Sequence, residues 1–593
     1  MTRSVLGRVM CCVLLLGVVG CASIPRASSV HRISDGQDGS QIPSRYEPAG
    51  PADDATPSEI VRGYLDAMLA YPANLATVKK FLTEEAAEKW KPGASTLIYS
   101  NASVQTSDSG LASNTGPNTR SNTRSNTGPN TGRDGSADNW AEVAADVSVW
   151  ASLDRDGHFS SADGRRDLGF ELEKVDGRWR ISSAPPGTLI SKKYFSDYFR
   201  SFNLYFVNAD GKRLWAEPVH VSVGEQTATE LVKILLRGPR KAIKKRAMKK
   251  YAHTQLPESA TLNTSIPVDA DGVAEVSLNA DLASLDNAQR NAMAAQLTWT
   301  LSQVPNIDRV RISGTGGVIA PRGDRQQEVK AWQSFDPVQH SPVSYAVTRG
   351  VVRKLSGTSS SAVDGVWGEQ KHQIDNVSVA GSTIAVLHDD RVRIGKISGS
   401  RTTSITGSSI TAIEADASGS VLVAGGDDGG SQIVSHRNDT SRTVAKSEEV
   451  IDRLSLSPDG ARYAVVTGRN GKRTVATGLV ARDDEGRITA LEPPHAVNSS
   501  AGVQAAAWLS PTTLLLATGG QVGASLEQRT VDGAPVSDGD YSATVPADTI
   551  QRLSVGTNRT VYALDDAQQL WALRDGASWR SVEGRYNDLS TGF

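Results

Sequence analysis

Thiols and imidazoles are the side chains of this sequence whose types suit covalent or metal chemistry. The only three cysteines among the 593 residues are Cys11, Cys12 and Cys21, and all stand near the N-terminus. The nine histidines are scattered without an HxH, HxxH or HExxH spacing. So few thiolates exclude a disulfide scaffold, a zinc ribbon and an iron–sulfur cluster, and the histidine spacing gives no local zinc motif. The thiol of Cys21 is therefore the first group to which a chemistry can be assigned.

Cys21 ends a segment that is organised like an export signal. Arg3 and Arg8 precede an uncharged stretch of 11 residues, 9–19. That length fits the ~7–15 residues of a secretory signal and falls short of the ~20 needed to span a bilayer. We find no later apolar run of that length. Residues 1–20 are therefore predicted to be a signal peptide.

The residues Val18-Val19-Gly20-Cys21 resemble the lipobox of bacterial lipoproteins. The resemblance implies cleavage between Gly20 and Cys21, a diacylglycerol thioether on Cys21, and acylation of its new amino group. A plain signal peptide is the alternative, but Cys21 would be the only cysteine of the mature chain. Two or three acyl chains make a stable anchor, whereas one holds weakly. We expect a protein anchored by lipid to the extracytoplasmic face of the cell membrane.

Composition and motifs argue against several other functions. The 63 basic and 65 acidic side chains give a formal net charge of -2, so a nucleic-acid partner is not expected. The motifs G-x-S-x-G, GxGxxG and GxxxxGK[ST] are absent, and we predict no enzyme and no cofactor. The segments 154–157 and 269–272 hint at calcium loops but fit hairpin turns better. Two carboxylates meeting across a fold, as in a glycosidase, stay possible because such contacts are invisible in a sequence.

The elements after the signal fall into successive regions. Residues 21–57 hold five prolines and read as a flexible tether. Residues 58–188 begin with two helical patterns, the second running to Trp90, and end in strands that close on Gly177-Arg178-Trp179-Arg180-Ile181. This order resembles an NTF2-like α+β cone, which serves either as a ligand pocket or, as we favour, as a packing module. An Asn-Thr repeat lies inside a predicted disordered insertion, 104–139.

Residues 189–325 resemble the GerMN domain, an α/β binding or assembly module. The likeness lies in the order of the strand Asn203-Leu204-Tyr205-Phe206, the helix over 228–236, the strand over 273–278 and the helix that carries Trp299. The same region holds a basic run without acids, 237–250. Possible contacts with an anionic lipid or wall polymer are Arg240, Lys241, Lys244, Lys245 and Lys249. A solvated helix face is the reading that we favour.

Residues 340–593 carry strand patterns only. Similar strand starts recur at Ile374, Ile410, Ile451, Val503 and Ile550, at spacings of ~40–50 residues. This period predicts a β-propeller of about six blades. A β-sandwich is the alternative, but it does not explain the recurring starts. The predicted fold is thus multidomain: an NTF2-like α+β domain, an α/β GerMN domain and an all-β propeller.

This order of segments resembles the actinobacterial LpqB lipoprotein family. The likeness is carried mainly by residues 177–181 and 203–301, and the propeller matches in pattern only. The resemblance implies a lipoprotein that binds the extracytoplasmic domain of an MtrB-type sensor histidine kinase and modulates MtrA–MtrB signalling, and hence envelope homeostasis and division. A structural wall-binding or polymer-binding lipoprotein is the alternative, and a propeller glycan hydrolase is less favoured. A small-molecule ligand is left open.

Overall fold

The computed structural model describes residues 48–70, 75–106, 139–240, 251–338, 341–369, 373–427, 429–468, 473–520, 522–536, 541, 543–574 and 578–593. They form an N-terminal domain of helices and one sheet (residues 48–191), a middle domain (192–338) and a C-terminal propeller (341–593). These three names are used below. The multidomain, strand-rich fold with a C-terminal propeller is confirmed.

The N-terminal domain opens with helices α1 (Pro57–Ala67), α2 (Ala76–Lys79) and α3 (Glu84–Lys89). Thr56 caps α1 in a capping box with Glu59, and the predicted apolar face of α1 is buried. The predicted single helix to Trp90 is wrong, because two short helices stand there. The hydroxyl of Thr83 accepts a hydrogen bond from the Ala86 amide and begins α3. An N-cap residue has extended backbone angles, which interrupt the helix.

The helices pack on one five-stranded sheet. Its strands are β1 (Ser95–Thr106), β2 (Trp140–Asp154), β3 (Phe159–Val175), β4 (Arg178–Ser183) and β5 (Thr188–Ser191), in the spatial order β4-β3-β2-β1-β5. Alternate residues of β2, including Val143 and Val147, are buried against α1. The predicted hairpin at Asp176-Gly177 is confirmed, with both residues at positive φ. The predicted insertion 104–139 lies mostly outside the described residues.

The middle domain has two small sheets and two longer helices. Its elements are α4 (Lys192–Tyr198), β6 (Phe199–Asn208), β7 (Leu214–Ser222), α5 (Thr227–Arg237), β8 (Ala252–His253), β9 (Val273–Ser277), α6 (Asn287–Leu301), β10 (Arg309–Gly314), β11 (Gly317–Val318) and β12 (Gln326–Gln327), followed by a 3₁₀ helix, Val329–Phe335. β6 pairs with β7 and β8, and β10 pairs with β9, β11 and β12. Gln296 and Gln303 donate to backbone carbonyls of β6 and hold α6 against that strand.

The propeller strands are β13 (Val343–Thr348), β14 (Val351–Ser356), β15 (Ser359–Ala362), β16 (Asn376–Ala380), β17 (Thr383–His388), β18 (Arg391–Lys396), β19 (Thr402–Thr406), β20 (Ile410–Ala415), β21 (Val421–Asp427), β22 (Gly430–Arg437), β23 (Thr440–Ser447), β24 (Ile451–Leu456), β25 (Arg462–Thr467), β26 (Thr474–Arg482), β27 (Ile488–Leu491), β28 (His495–Val497), β29 (Val503–Ser510), β30 (Thr513–Gly519), β31 (Ala524–Thr530), β32 (Ile550–Val555), β33 (Val561–Asp565), β34 (Leu570–Arg574), β35 (Ser578–Val582) and β36 (Asp588–Gly592). They form six sheets, which we number as blades one to six from β13–β15, β16–β19, β20–β23, β24–β28, β29–β31 and β32–β35. This arrangement confirms the propeller over the sandwich.

The ring is closed by strands that are far apart in sequence. β36 pairs antiparallel with β13, with Val343 opposite Gly592 and Val347 opposite Asp588, so β36 is the innermost strand of blade one. The predicted strand starts lead into β16, β20, β24, β29 and β32, the innermost strands of the other blades. These six strands line an axial channel with a cavity of about 100 Å³.

Candidate functional site

The predicted lipidation site, Gly20 and Cys21, lies outside the described residues, and so do Lys241, Lys244, Lys245 and Lys249 of the basic run. Within the described part of the chain, every helix is too short or too polar to cross a bilayer. Arg240 is described and half-buried. Its backbone amide donates to the Glu217 carboxylate at 3.2 Å. Arg240 therefore belongs to a junction where the three domains meet.

The first charged group of this junction is centred on His158, in the turn between β2 and β3. Its Nδ1 lies 3.1 Å from the Asp154 carboxylate, and its Nε2 lies 3.2 Å from Glu217 on β7, in poor hydrogen-bond geometry. Burial alone would lower the pKa of His158, but the two carboxylates outweigh it and raise the pKa to about 9. At neutral pH an imidazolium thus bridges the N-terminal and middle domains.

The turn that carries His158 contains residues 154–157, one of the two predicted hairpin turns that also hint at a calcium loop. The Asp154 carboxylate accepts from the backbone amides of Asp156 and His158, as in an Asx turn. Burial opposes its charge, but these bonds and His158 hold the pKa of Asp154 at about 2. Asp156 in turn pairs with Arg237 at the end of α5, at 2.5 Å. Asp156 thus joins the N-terminal and middle domains, and residues 154–157 form the predicted hairpin turn between β2 and β3.

A second buried pair joins the middle domain to the propeller. His220 on β7 places its Nε2 3.2 Å from the Asp532 carboxylate, which follows β31 in blade five. Burial opposes the charge of Asp532, but His220 outweighs it and the pKa of Asp532 lies below its usual value. An apolar cluster around Phe159 and Phe195 surrounds the pair, and Ala534 of the propeller packs into it. All three domains therefore contribute to one core here.

The third group is Arg462, the first residue of β25. Its side chain is 5 % exposed, and its guanidinium stacks 4.5 Å from the Trp215 ring of the middle domain. It donates to the Ala216 and Pro511 carbonyls. Burial lowers the pKa of Arg462, and the carboxylates of Asp459, Glu217 and Asp532 oppose that shift. Arg462 thus places a cation of the propeller near Glu217 of the first charged group and near Asp532 of the second.

Two further hydrogen bonds extend this interface. Thr512 of blade five donates to the Asn203 side chain at 2.7 Å, and Tyr251 donates to Glu492 of blade four at 2.6 Å. Of the junction residues, the sequence pointed only to Arg240, as a possible anionic-surface contact, and to the turn over 154–157, and to none of them as a contact between domains. They are spread from Asp154 to Asp532, and no short motif marks residues that meet only after three domains have folded.

The junction occupies one face of the propeller. We letter the strands of each blade A to D from the axis outwards, so the A–B and C–D turns share one face and the B–C turns share the other. The docked face carries Arg462, Thr512 and Asp532, which contact the middle domain. The open face carries exposed B–C turn residues such as Arg349 and Asp389. Described contacts with the other domains thus concentrate on the docked face and on the ring's outer edge, where Asn498 bonds Ser161.

The axial channel meets the docked face at Glu414. This residue lies on β20, and its carboxylate accepts from Ser378 at 2.7 Å and from the Leu456 amide at 2.8 Å, which joins three blades. Burial raises the pKa of Glu414 to about 8, against the effect of these two bonds. Beside it, Asp416 forms a bidentate pair with Arg482, both bonds at 2.8 Å. These groups join neighbouring blades by hydrogen bonds.

The open face has its own polar group in blade two. His388 places its Nδ1 2.8 Å from Asp375 and its Nε2 3.5 Å from Asp389, close enough together to share a metal ion. Both acids are exposed, and exposed acidic groups are common without a metal. Only this group in the described part of the chain has metal-ligand spacing. We assign it no function.

Three family descriptions match the chain in the order of its domains. Residues 50–196 match "Lipoprotein LpqB, N-terminal domain", residues 203–318 match the Germane domain of "Sporulation and spore germination", and residues 350–588 match "Lipoprotein LpqB beta-propeller domain". Fold and matches together define a multidomain lipoprotein with a C-terminal propeller. The chain belongs to the LpqB lipoprotein family of actinobacteria.

Relatives named "Lipoprotein LpqB" align over most of the chain. The one from Cutibacterium acnes is 25 % identical and covers 95 % of both chains. The one from Mycolicibacterium smegmatis is 27 % identical over 77 % of both chains, and the one from Streptomyces avermitilis is 24 % identical over 95 % of this chain and 94 % of its own. These names support a membrane-anchored lipoprotein. They do not name an enzyme.

Solved structures are similar only at a distance. TolB from Acinetobacter baumannii is 10 % identical with a TM-score of 0.31, and the match covers 53 % of this chain and 88 % of TolB. A likeness this remote carries no conclusion about function.

Proposed function

We propose that this lipoprotein is anchored on the extracytoplasmic face of the membrane and binds the extracytoplasmic domain of an MtrB-type sensor kinase. Through that contact it modulates MtrA–MtrB signalling, and with it envelope homeostasis and division. Its role is binding rather than catalysis, which agrees with the names of its relatives. The partner and the face of the membrane come from the family resemblance.

The open face of the propeller is the observation that carries the binding role. A closed ring of six blades holds its turns rigidly, and function commonly resides on loops that a rigid scaffold positions. The docked face is committed to the middle domain through Arg462, Asp532 and Thr512. Arg349, Asp389 and Asp566 are exposed in B–C turns of the opposite face. A partner protein can reach these turns without displacing the middle domain.

Site-specific crosslinking in the host tests the binding role. A photoreactive residue replaces Arg349, Asp389 or Asp566, one at a time, in the full-length anchored protein. The matched control is Asp439, which is also exposed but lies in a C–D turn on the side of the docked face. We expect a sensor kinase to be captured from the open-face positions and not from Asp439. Equal capture from both faces, or capture of wall polymer alone, contradicts the proposal; the second outcome supports the structural wall-binding alternative.

The anchor is tested separately. Cys21→Ala should abolish incorporation of a labelled fatty acid and release the protein from the membrane fraction, because Cys21 would carry every acyl chain. Cys11→Ala and Cys12→Ala are matched controls that should keep the label. Persistent label on the Cys21→Ala protein refutes the lipobox assignment.

A further inference from the structure

A cleft opens between the middle domain and the docked face of the propeller. It consists of two adjoining cavities of about 350 and 720 Å³, both lined by Asp210, Arg213, Asp459 and Arg482. The first two residues belong to the β6–β7 turn, and the last two to blade four. Clefts of about 300–1,000 Å³ at domain interfaces are typical of small-molecule sites.

Asp459 at the base of this cleft has an oxygen without a hydrogen-bond partner. Its side chain is 4 % exposed, and its Oδ1 accepts from the Ser457 hydroxyl at 2.6 Å and from the Ala461 amide at 3.2 Å. Its Oδ2 is buried and accepts no hydrogen bond in the described structure, and Arg462 Nη1 lies 3.9 Å from it. Oδ2 therefore has an ion-pair partner but no hydrogen-bond donor, and a buried carboxylate oxygen without a donor is costly.

The cleft walls determine which donor fits. Arg482 directs its donors to Asp416 and to the carbonyls of Gly460 and Gly486, so it forms a fixed wall. Arg213 is exposed at the rim, where its guanidinium can donate to a molecule in the cleft. The cleft therefore combines an acceptor at its base with a donor at its rim.

We propose that this cleft binds a hydroxyl-rich ligand of saccharide size. One hydroxyl donates to Asp459 Oδ2 and another accepts from the Arg213 guanidinium, because a hydroxyl both donates and accepts. A metal ion fits less well, since both oxygens of Asp416 bind Arg482 and Asp459 already has a cation 3.9 Å away. The proposal is independent of the kinase proposal, which concerns the opposite face.

Binding is tested on the full mature chain in detergent. Glucose, mannose, galactose and N-acetylglucosamine are the probes, each titrated alone by calorimetry and by saturation-transfer NMR. We expect at least one sugar to bind saturably, and Asp459→Asn to weaken it by about tenfold, because one hydrogen bond to a charged group is lost. Asp459→Asn keeps the side-chain shape, and its Tm is compared with that of the parent.

Arg213→Gln is the second variant, at an exposed position where folding is not at risk, and it should weaken the same sugar by several-fold. Asp439→Asn is the control, exposed on the same side of the propeller but outside the cleft, and it should bind as the parent does. If none of the four sugars binds, or if Asp459→Asn and Arg213→Gln both bind like the parent, the proposal is overturned and water is the occupant of the cleft.

Discussion

The two faces of the propeller are built from the same kind of turns but use their charges in opposite ways. On the docked face, Arg462 and Asp532 are almost fully buried and meet charged or aromatic groups of another domain. On the open face, Asp375 and Asp389 stay exposed around His388. Burial of charge, rather than its presence, therefore distinguishes the face that holds a domain from the face that is free to meet a partner.

The two settings also differ in energy. Removing one partner of a buried ion pair costs roughly 3–5 kcal/mol, because the remaining charge is left without compensation. An exposed pair contributes about 0–1 kcal/mol. The comparison predicts that removing a charge from the docked face lowers the free energy of unfolding strongly, and that removing one from the open face lowers it little.

Arg462→Met should have the largest effect. The carboxylates of Asp459, Glu217 and Asp532 then lose the cation that faces them, and we expect a loss of about 3–5 kcal/mol in the free energy of unfolding. Thermal denaturation measures it. The control is Arg487→Met, whose pair with Asp483 is largely exposed, with an expected loss below about 1 kcal/mol. Equal losses in the two variants would remove the distinction between buried and exposed charges.

His158→Gln should destabilise the protein in a pH-dependent way. The pKa of His158 is raised to about 9 in the fold, so its contribution is fully present below its unfolded pKa and disappears as the pH rises through 9. We expect a loss on the order of 3 kcal/mol near pH 6 and little difference near pH 10. Tm measured against pH provides the test, and a pH-independent difference would contradict the ion-pair assignment.

Glu414→Gln should act in the opposite direction. The fold raises the pKa of the Glu414 carboxyl to about 8. Folding is therefore penalised once the pH exceeds the pKa that this carboxyl has in the unfolded chain, and the penalty is complete above about pH 8. The glutamine variant should therefore have a higher Tm than the parent near pH 9 and the same Tm near pH 4. A lower Tm of the glutamine variant near pH 9 would show instead that Glu414 stabilises the channel in its charged form.

On the open face, the combined change Arg349→Glu, Asp389→Arg and Asp566→Arg should leave the free energy of unfolding within about 0.5 kcal/mol of the parent. The same protein should lose capture of the kinase, since charge reversal at an interface opposes the native partner. Urea unfolding and the crosslinking assay together test this. A large fall in stability would mean that these turns are packed as tightly as those of the docked face.

The smallest effect is expected from the basic run, which follows Arg240 at the junction. Replacing Lys241, Lys244, Lys245 and Lys249 with Gln should leave both Tm and vesicle binding unchanged if these lysines are a solvated face. Co-sedimentation with anionic vesicles at about 0.01 M and 0.15 M salt measures the latter. Weaker sedimentation of the variant at low salt would instead identify a contact with anionic lipid.

Local sequence patterns predicted most of the fold. The recurring strand starts at Ile410, Ile451, Val503 and Ile550 predicted the innermost strands, because each blade repeats the same hydrophobic period. The second helix was mispredicted, since the capping bond of Thr83 competes with the helical pattern around it. Such bonds are decided by local geometry that composition does not reveal.

The junction could not be predicted in the same way. His158, Glu217, Arg462 and Asp532 each look like an ordinary surface charge within their own segments, and only the docking of three domains buries them. The cleft at Asp459 has the same origin. Sequence patterns report which side of an element faces its own core, and they carry no signal for a core shared between domains.

The pairing of β36 with β13 sets an order of events in biogenesis. Blades two to six can each form from neighbouring residues as the chain emerges, but blade one stays incomplete until the strand beginning at Asp588 reaches the strand beginning at Val343. Until then β13 exposes an unpaired edge, which is a template for wrong pairing. The chain is therefore most prone to wrong strand pairing between its emergence and the closure of the ring.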